Sequence, residues 1–255
     1  MADVATPVEL HGDIWLKRDD LYSYAGRHGG KVRTCRMIAE RAVAAEKVGL
    51  ITAGSRQSPQ VSIVAAIAAH LGLRCRVHVP DGADTPQIDA ALSAGAEVVR
   101  HRPGYNTVIV ARARADWSTS FHWAHVPFGM ETDQAVAMTA TQVASAVGVL
   151  PSRIVVPVGS GMTLAGVLRA IPSLDPTIPV LGVVCGADPR RRLDRYAPLW
   201  RSQNVDLVSA SVDYHRHVTA AVDGVDLDPV YEAKCAEFLR PGDLLWVVGH
   251  RRLDE

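Results

Sequence analysis

Val156-Pro157-Val158-Gly159-Ser160-Gly161-Met162-Thr163-Leu164-Ala165-Gly166 runs from an apolar β-branched stretch through a Gly/Ser turn into a helix-forming segment. A strand that stops at Gly-Ser-Gly and resumes as a helix aims several backbone N–H groups at one point, at the positive end of the helix dipole. Ser160 and Thr163 can add hydroxyl donors, so Gly159, Ser160, Gly161, Met162 and Thr163 read as an anion cradle or as plain loop chemistry. No Gly-Lys-Ser/Thr follows, so the turn is not a Walker loop. It also lacks the GxGxxG spacing of a dinucleotide fold near the start of the chain.

The same alternation extends in both directions. Strands are predicted over Ile14–Lys17, Leu50–Thr52, Cys75–Val79, Glu97–Arg100, Ser120–His125, Arg153–Val158, Val180–Cys185 and Leu244–Val248. Between them lie helices over Lys31–Lys47, Ser58–Leu71, Thr85–Ala94, Tyr105–Asp116, Glu131–Val147, Thr163–Ala170, Pro189–Ser202 and Pro229–Leu239. Ser58 is placed as an N-cap, with Pro59 at the first helical position, where a missing N–H costs nothing. Strands alternating with helices indicate βαβ units, parallel sheets and an α/β fold class. Ser209–Val212 is too short to assign.

The 255 residues allow one large domain or two small ones. A composition of 48% hydrophobic and 21% charged residues describes a globular chain. Lys plus Arg is 27 and Asp plus Glu is 27, so nucleic acid and anionic membranes are not indicated as partners. The longest apolar stretch, Val61–Leu73, contains His70 and is too short to span a bilayer. The segment from Met1 to Pro7 lacks the pattern of a secretory signal. Cys35, Cys75, Cys185 and Cys235 are far apart in sequence, which suits reduced thiols in a cytoplasmic location. His122, His125, His215, His217 and His250 do not form a metal-ligand set.

Three further segments accompany the opening one. They are Leu16-Lys17-Arg18-Asp19-Asp20-Leu21 with Gly29-Gly30-Lys31-Val32-Arg33, then Gly54-Ser55-Arg56-Gln57-Ser58-Pro59-Gln60, and Asp228-Pro229-Val230-Tyr231-Glu232-Ala233-Lys234. Taken alone, Lys31 is either a solvated first-turn lysine, an unfavourable dipole position, or an amine that two glycines let a ligand approach. Ser58 is either an N-cap worth about 1 kcal/mol or part of an anion site at a helix N-terminus.

In order and spacing the four segments resemble the fold-type II pyridoxal 5′-phosphate enzymes, the tryptophan synthase β superfamily. Within it they resemble the 1-aminocyclopropane-1-carboxylate deaminase and D-cysteine desulfhydrase branch. The resemblance implies a two-domain, three-layer αβα sandwich. Residues 1–49 and 133–255 would form a large cofactor-binding domain, and residues 50–132 a small inserted one. It implies pyridoxal 5′-phosphate as cofactor, joined to Lys31, its phosphate on Gly159–Thr163 and its ring nitrogen on Glu232. Ser58 and Gln60 would hold the substrate, Tyr231 and Ser58 would assist proton transfer, and Tyr214 would stand beside the substrate. The implied activity is elimination or deamination of a small amino acid to an oxo-acid and ammonia, by a homodimer.

Three departures from the family pattern accompany this. Gly30 and Pro59 replace asparagines, and Gly249-His250-Arg251-Arg252 stands where relatives carry Thr-Gly-Gly. They leave open a decarboxylase or lyase acting on an amino acid attached to a larger molecule, or a non-catalytic cofactor-binding relative.

Overall fold

A computed structural model describes residues 5–249 of the chain; His250, Arg251 and Arg252 lie outside the described residues. In chain order the strands are β1 Val8–His11, β2 Ile14–Arg18, β3 Ser23–Tyr24, β4 Arg27–His28, β5 Gly49–Ala53, β6 Arg74–Pro80 and β7 Glu97–His101. They continue with β8 Trp123–Val126, β9 Arg153–Val158, β10 Val180–Val184, β11 Val205–Ser209, β12 Ala221–Val222, β13 Val225–Asp226 and β14 Asp243–Val247. The helices are α1 Gly30–Ala44, α2 Pro59–His70, α3 Pro86–Ser93, α4 Asn106–Thr119, α5 Asp133–Val147, α6 Met162–Leu174 and α7 Arg190–Tyr196. None is long and apolar enough to cross a membrane.

The chain divides into two compact units. One combines the segment ending at Tyr22 with the segment beginning at Thr132; the other is Ser23–Glu131. The sequence reading placed residues 23–49 in the larger domain, whereas here they belong to the smaller unit. The reason is the apolar stripe of α1: Val32, Cys35, Ala39 and Ala42 are buried, and the helix packs on α2 and β8.

The larger unit holds a six-stranded sheet in the order β1-β2-β14-β9-β10-β11, parallel apart from the β1–β2 hairpin. Alternate residues of β9 feed two cores. Ile154, Val156 and Val158 pack with Val136, Leu164 and Leu168 of α5 and α6. Val155 packs with Leu16, Leu181, Leu245, Leu227 and Cys235 on the other face. Both faces are therefore covered, as parallel strands require.

Lys17 and Asp19 of the Lys-Arg-Asp-Asp segment are buried and serve this unit internally. Lys17 Nζ donates to Thr6 O and to Ser145 Oγ at 3.1 Å. Asp19 accepts from Thr6 Oγ1 at 2.6 Å and Trp246 Nε1 at 2.9 Å.

Two predicted helices take other forms. Pro189–Ser202 breaks after Tyr196, because Pro198 disfavours helical backbone at Ala197. The expected helix Pro229–Leu239 is a 3₁₀ segment, Glu232–Phe238. The backbone of Tyr231, at φ −121° and ψ −77°, is not helical and interrupts the run. Buried Asp228 ties the turn just before it, its Oδ1 accepting from the amides of Val230 at 2.9 Å and Tyr231 at 3.1 Å.

The smaller unit carries a parallel sheet in the order β7-β6-β5-β8. Ile51 and Ala53 of β5 pack against Ile109 and Ala113 of α4. Thr52 faces α2, where its Oγ1 meets Gln60 Nε2 at 2.9 Å. On this sheet His78 bridges His101 (2.8 Å) and Asp116 (2.9 Å), and His125 stacks on Trp117. Burial lowers the pKa values of His78 and His101 and takes His125 from 6.5 to about 4.

The folded imidazoles thus refuse protons that the unfolded chain accepts. Their contribution is complete above about pH 6.5 and is lost as the pH falls through that value toward about 4. Urea unfolding is expected to show a lower midpoint at about pH 5 than at about pH 7. His125→Gln is expected to shrink that difference, and an unchanged difference would remove His125 as its source.

Candidate active site

Lys31 is the second residue of α1 and is half-buried. Gly29 caps that helix at φ 106°, ψ 166°, a conformation essentially restricted to glycine. This brings the chain sharply from the β3–β4 hairpin into the helix and fixes where the lysine leaves it.

In the same unit, β5 ends at Ala53 and the Gly54–Gln57 loop leads into α2. Ser58 is its N-cap as expected, accepting from the Gln60 amide at 3.3 Å. Gln60 is buried, with its side chain committed to the fold. Its amide donates to Thr52 Oγ1 at 2.9 Å and Pro127 O at 2.8 Å, and its carbonyl accepts from Gly129 N at 2.9 Å. Gln60 therefore clamps the Pro127–Gly129 turn beside the helix N-terminus that Ser58 caps.

In the larger unit the parallel strands β9, β10 and β14 present their carboxyl ends together, where open α/β sheets place ligands. After β9, Gly159 and Ser160 lead to Gly161, whose φ of 85° makes it a left-handed N-cap for α6. The first-turn N–H groups of such a helix have no intrahelical acceptors and remain available to an anion. Gly159 also leaves room for a side chain: a Cβ there would lie 2.7 Å from Tyr231 Cε1. A Cβ at Gly161 would meet Pro189 Cβ at 2.9 Å. The turn is a cradle that only glycines keep open.

Tyr231 therefore packs on the backbone of the cradle. Its hydroxyl lies 3.3 Å from that of Tyr214, with the rings edge-to-face. The structure thus brings together Gly159, Tyr231 and Tyr214. Tyr214 could be placed in the sequence only by resemblance, because it lies in an irregular stretch.

Glu232 is 1% exposed. Its Oε1 accepts from the amides of Val248 at 2.7 Å and Gly249 at 3.3 Å, at the end of β14. Its Oε2 is buried with no hydrogen-bond partner among the described residues. Burial first, and then the charge of Asp228, raises its pKa well above the ordinary carboxylate value. An orphaned buried carboxyl oxygen is costly, and a heteroaromatic nitrogen that shares its proton would satisfy it. The residues present therefore fit a pyridine ring with an anionic tail.

Sequence reading alone missed the supports of this site. Asp228 pins the turn before Tyr231. Buried Lys234 holds the turn carrying Tyr214, donating to Asp213 O at 2.6 Å and Tyr214 O at 3.2 Å. Cys185 packs beneath, its thiol 3.6 Å from Tyr231 O. The only available signal was a polar residue beside apolar ones, which does not distinguish burial from exposure.

A family model described as pyridoxal-phosphate dependent enzyme matches residues 5–233. A 1-aminocyclopropane-1-carboxylate deaminase from Rhizobium radiobacter is 40% identical over 70 residues, covering 27% of this chain and 21% of that protein. A biosynthetic L-threonine dehydratase from Pasteurella multocida is 30% identical over 191 residues, covering 72% of this chain and 35% of that protein. The matched regions thus span about a fifth to a third of those relatives' lengths. The solved structure of a 1-aminocyclopropane-1-carboxylate deaminase homologue superposes with a TM-score of 0.81 at 20% identity, covering 97% of this chain and 90% of that one. Threonine deaminase isoform 2 from Solanum lycopersicum gives 0.68 at 17% identity, covering 98% and 80%. At these identities the structural likeness speaks for the tryptophan synthase β-like fold.

The state of Glu232 has a testable consequence. Below about pH 4.5 both folded and unfolded chains carry the proton; above it the unfolded chain releases a proton that the fold retains. Wild-type stability relative to Glu232→Gln is therefore expected to fall as the pH is raised from about 4.5 to about 8. Urea denaturation of cofactor-free protein measures it, and a constant difference would mean that Glu232 ionises normally in the fold.

Proposed function

This chain belongs to the pyridoxal-phosphate dependent enzyme family, and on that premise we propose that it is a lyase releasing ammonia and an oxo-acid from a small amino acid. The observation that carries this reading is Glu232, a buried acid with one oxygen left unpartnered at the end of a parallel strand. When bound, the cofactor supplies an electron sink for charge developing on the substrate's carbons. An acid at the ring nitrogen keeps that sink strong, whereas a serine or threonine there would leave the ring neutral. Elimination and deamination draw on it, as does decarboxylation, which the test below separates from them.

The remaining residues receive roles from their chemistry and from the family resemblance. Lys31 would hold the cofactor's aldehyde carbon covalently, and its amine, when free, would be the base that moves protons at the substrate. The amides of the Gly159–Thr163 turn, with the hydroxyls of Ser160 and Thr163, hold the phosphate. Ser58 and the α2 N-terminus receive the substrate carboxylate, although Pro59 removes one amide donor from that turn. Tyr231 gives or takes a proton at the substrate, with Tyr214 as its hydrogen-bond partner. Gln60 positions this machinery by clamping Pro127 and Gly129.

The working unit is proposed to be a cytoplasmic homodimer. Four buried free thiols suit a reducing compartment, and the dimer follows from family resemblance. Light scattering on the purified protein checks the mass.

Borohydride reduction of pyridoxal-phosphate-loaded protein is expected to fix one cofactor on the peptide containing Lys31. Lys31→Ala is expected to show no such adduct and to lose turnover by several orders of magnitude, as removal of a catalytic nucleophile does. Ammonia release is then measured across a panel of D- and L-amino acids. Carbon dioxide without oxo-acid would assign a decarboxylase instead. An adduct with no turnover of any substrate, free or attached to a larger molecule, would leave a cofactor-binding protein.

A further inference from the structure

Lys234 is 2% exposed, and its ammonium lies in the larger unit beneath the tyrosine pair. A charge buried this deeply needs close compensation by the groups around it. Its hydrogen-bond partners among the described residues are two backbone carbonyls, Asp213 O at 2.6 Å and Tyr214 O at 3.2 Å. The cation also sits 6.0 Å from the centroid of the Tyr214 ring. Charge-assisted bonds of this kind are about twice as strong as neutral ones.

The turn that Lys234 grips lacks regular secondary structure. Asp213 O accepts from Arg216 N at 3.1 Å, and the segment from Ala210 to Ala220 lies between β11 and β12. Lys234 itself lies on the 3₁₀ segment that follows Tyr231, its amide bonded to Tyr231 O at 3.1 Å. One short stretch of chain therefore carries both a phenol and the cation that sets the position of the other phenol.

We propose that Lys234 is a positioning residue that holds the Asp213–Tyr214 turn so that the Tyr214 hydroxyl meets that of Tyr231. The proposal deepens the functional reading above and rests on the role given there to Tyr231. Two hydroxyls at 3.3 Å can share one hydrogen bond. With Tyr214 as donor, the proton of Tyr231 is released to point toward the reacting group. With Tyr214 as acceptor, Tyr231 is held as an inactive donor. Fixing the turn fixes the distance at which this exchange works. Lys234 touches neither the cofactor nor the substrate in this account; it acts through Tyr214.

The test combines Lys234→Met, which keeps the chain length and removes the charge, with Tyr214→Phe and the double variant. Hydrogen exchange is read first, on cofactor-free protein. Lys234→Met is expected to speed exchange in residues 213–217 by roughly tenfold, the scale of a lost charged hydrogen bond. Tyr214→Phe is expected to leave that exchange unchanged, because the carbonyls remain.

Turnover is read second. Lys234→Met is expected to lower kcat by roughly tenfold with KM nearly constant, and to have little further effect when Tyr214 is already Phe. Exchange that stays at the wild-type rate, or kcat losses that multiply in the double variant, would overturn the proposal. If Lys234→Met does not fold, Lys234→Gln, which can still donate to one carbonyl, is expected to give intermediate exchange; wild-type exchange in that variant overturns it equally. If wild-type protein turns over no amino acid, the functional reading fails, while the exchange measurement still decides whether Lys234 holds the turn.

Discussion

Asp228 is the residue on which the placement of Tyr231, Glu232 and Lys234 in the larger unit depends. Its side chain takes the amides of Val230 and Tyr231, and its carbonyl takes that of Ala233. Those bonds fix a tight turn that leads into the non-helical backbone of Tyr231, where an α-helix was expected. Three consequences follow within six residues of sequence. Tyr231 is laid over Gly159, Glu232 is directed to the amides ending β14, and Lys234 reaches the carbonyls of residues 213 and 214. Each is a long-range contact set by a local hydrogen-bond pattern. A regular helix through the same residues would carry their side chains around the axis at 100° steps and could not serve all three.

Burial gives Glu232 its chemistry. An exposed glutamate would be ionised near neutral pH and of little use as a proton partner. Here desolvation, and then the neighbouring Asp228, raise its pKa well above the ordinary carboxylate value, and two amides occupy only one of its oxygens. The other is left without a partner among the described residues, at a cost to the fold. The same logic explains the glycines of the cradle. They supply space for Tyr231 and Pro189, together with one left-handed backbone conformation, and leave main-chain amides at the start of α6.

The smaller unit presents Lys31 and Ser58 by a different device. Both stand at helix N-termini, one after a glycine in a conformation closed to other residues, the other as a capping serine followed by proline. Gln60 is bound into its own unit. Its amide and carbonyl are consumed by Thr52, Pro127 and Gly129, so it shapes the neighbouring turn.

Local chemistry in the chain determined a good deal by itself. The βα alternation, the Ser58 N-cap, the Gly-Ser-Gly turn from β9 into α6 and the family resemblance were all readable, because each rests on neighbours in sequence. The short edge strands β1 and β11 and the two-residue pairings were not predicted, since their order comes from a partner strand and not from their own propensity. Tertiary structure alone decided that α1 joins the smaller unit, that Pro229–Leu239 is not an α-helix, and that Glu232 and Lys234 are buried. Burial and partner choice depend on residues far away in the sequence; the spacing of letters in one segment carries no record of them.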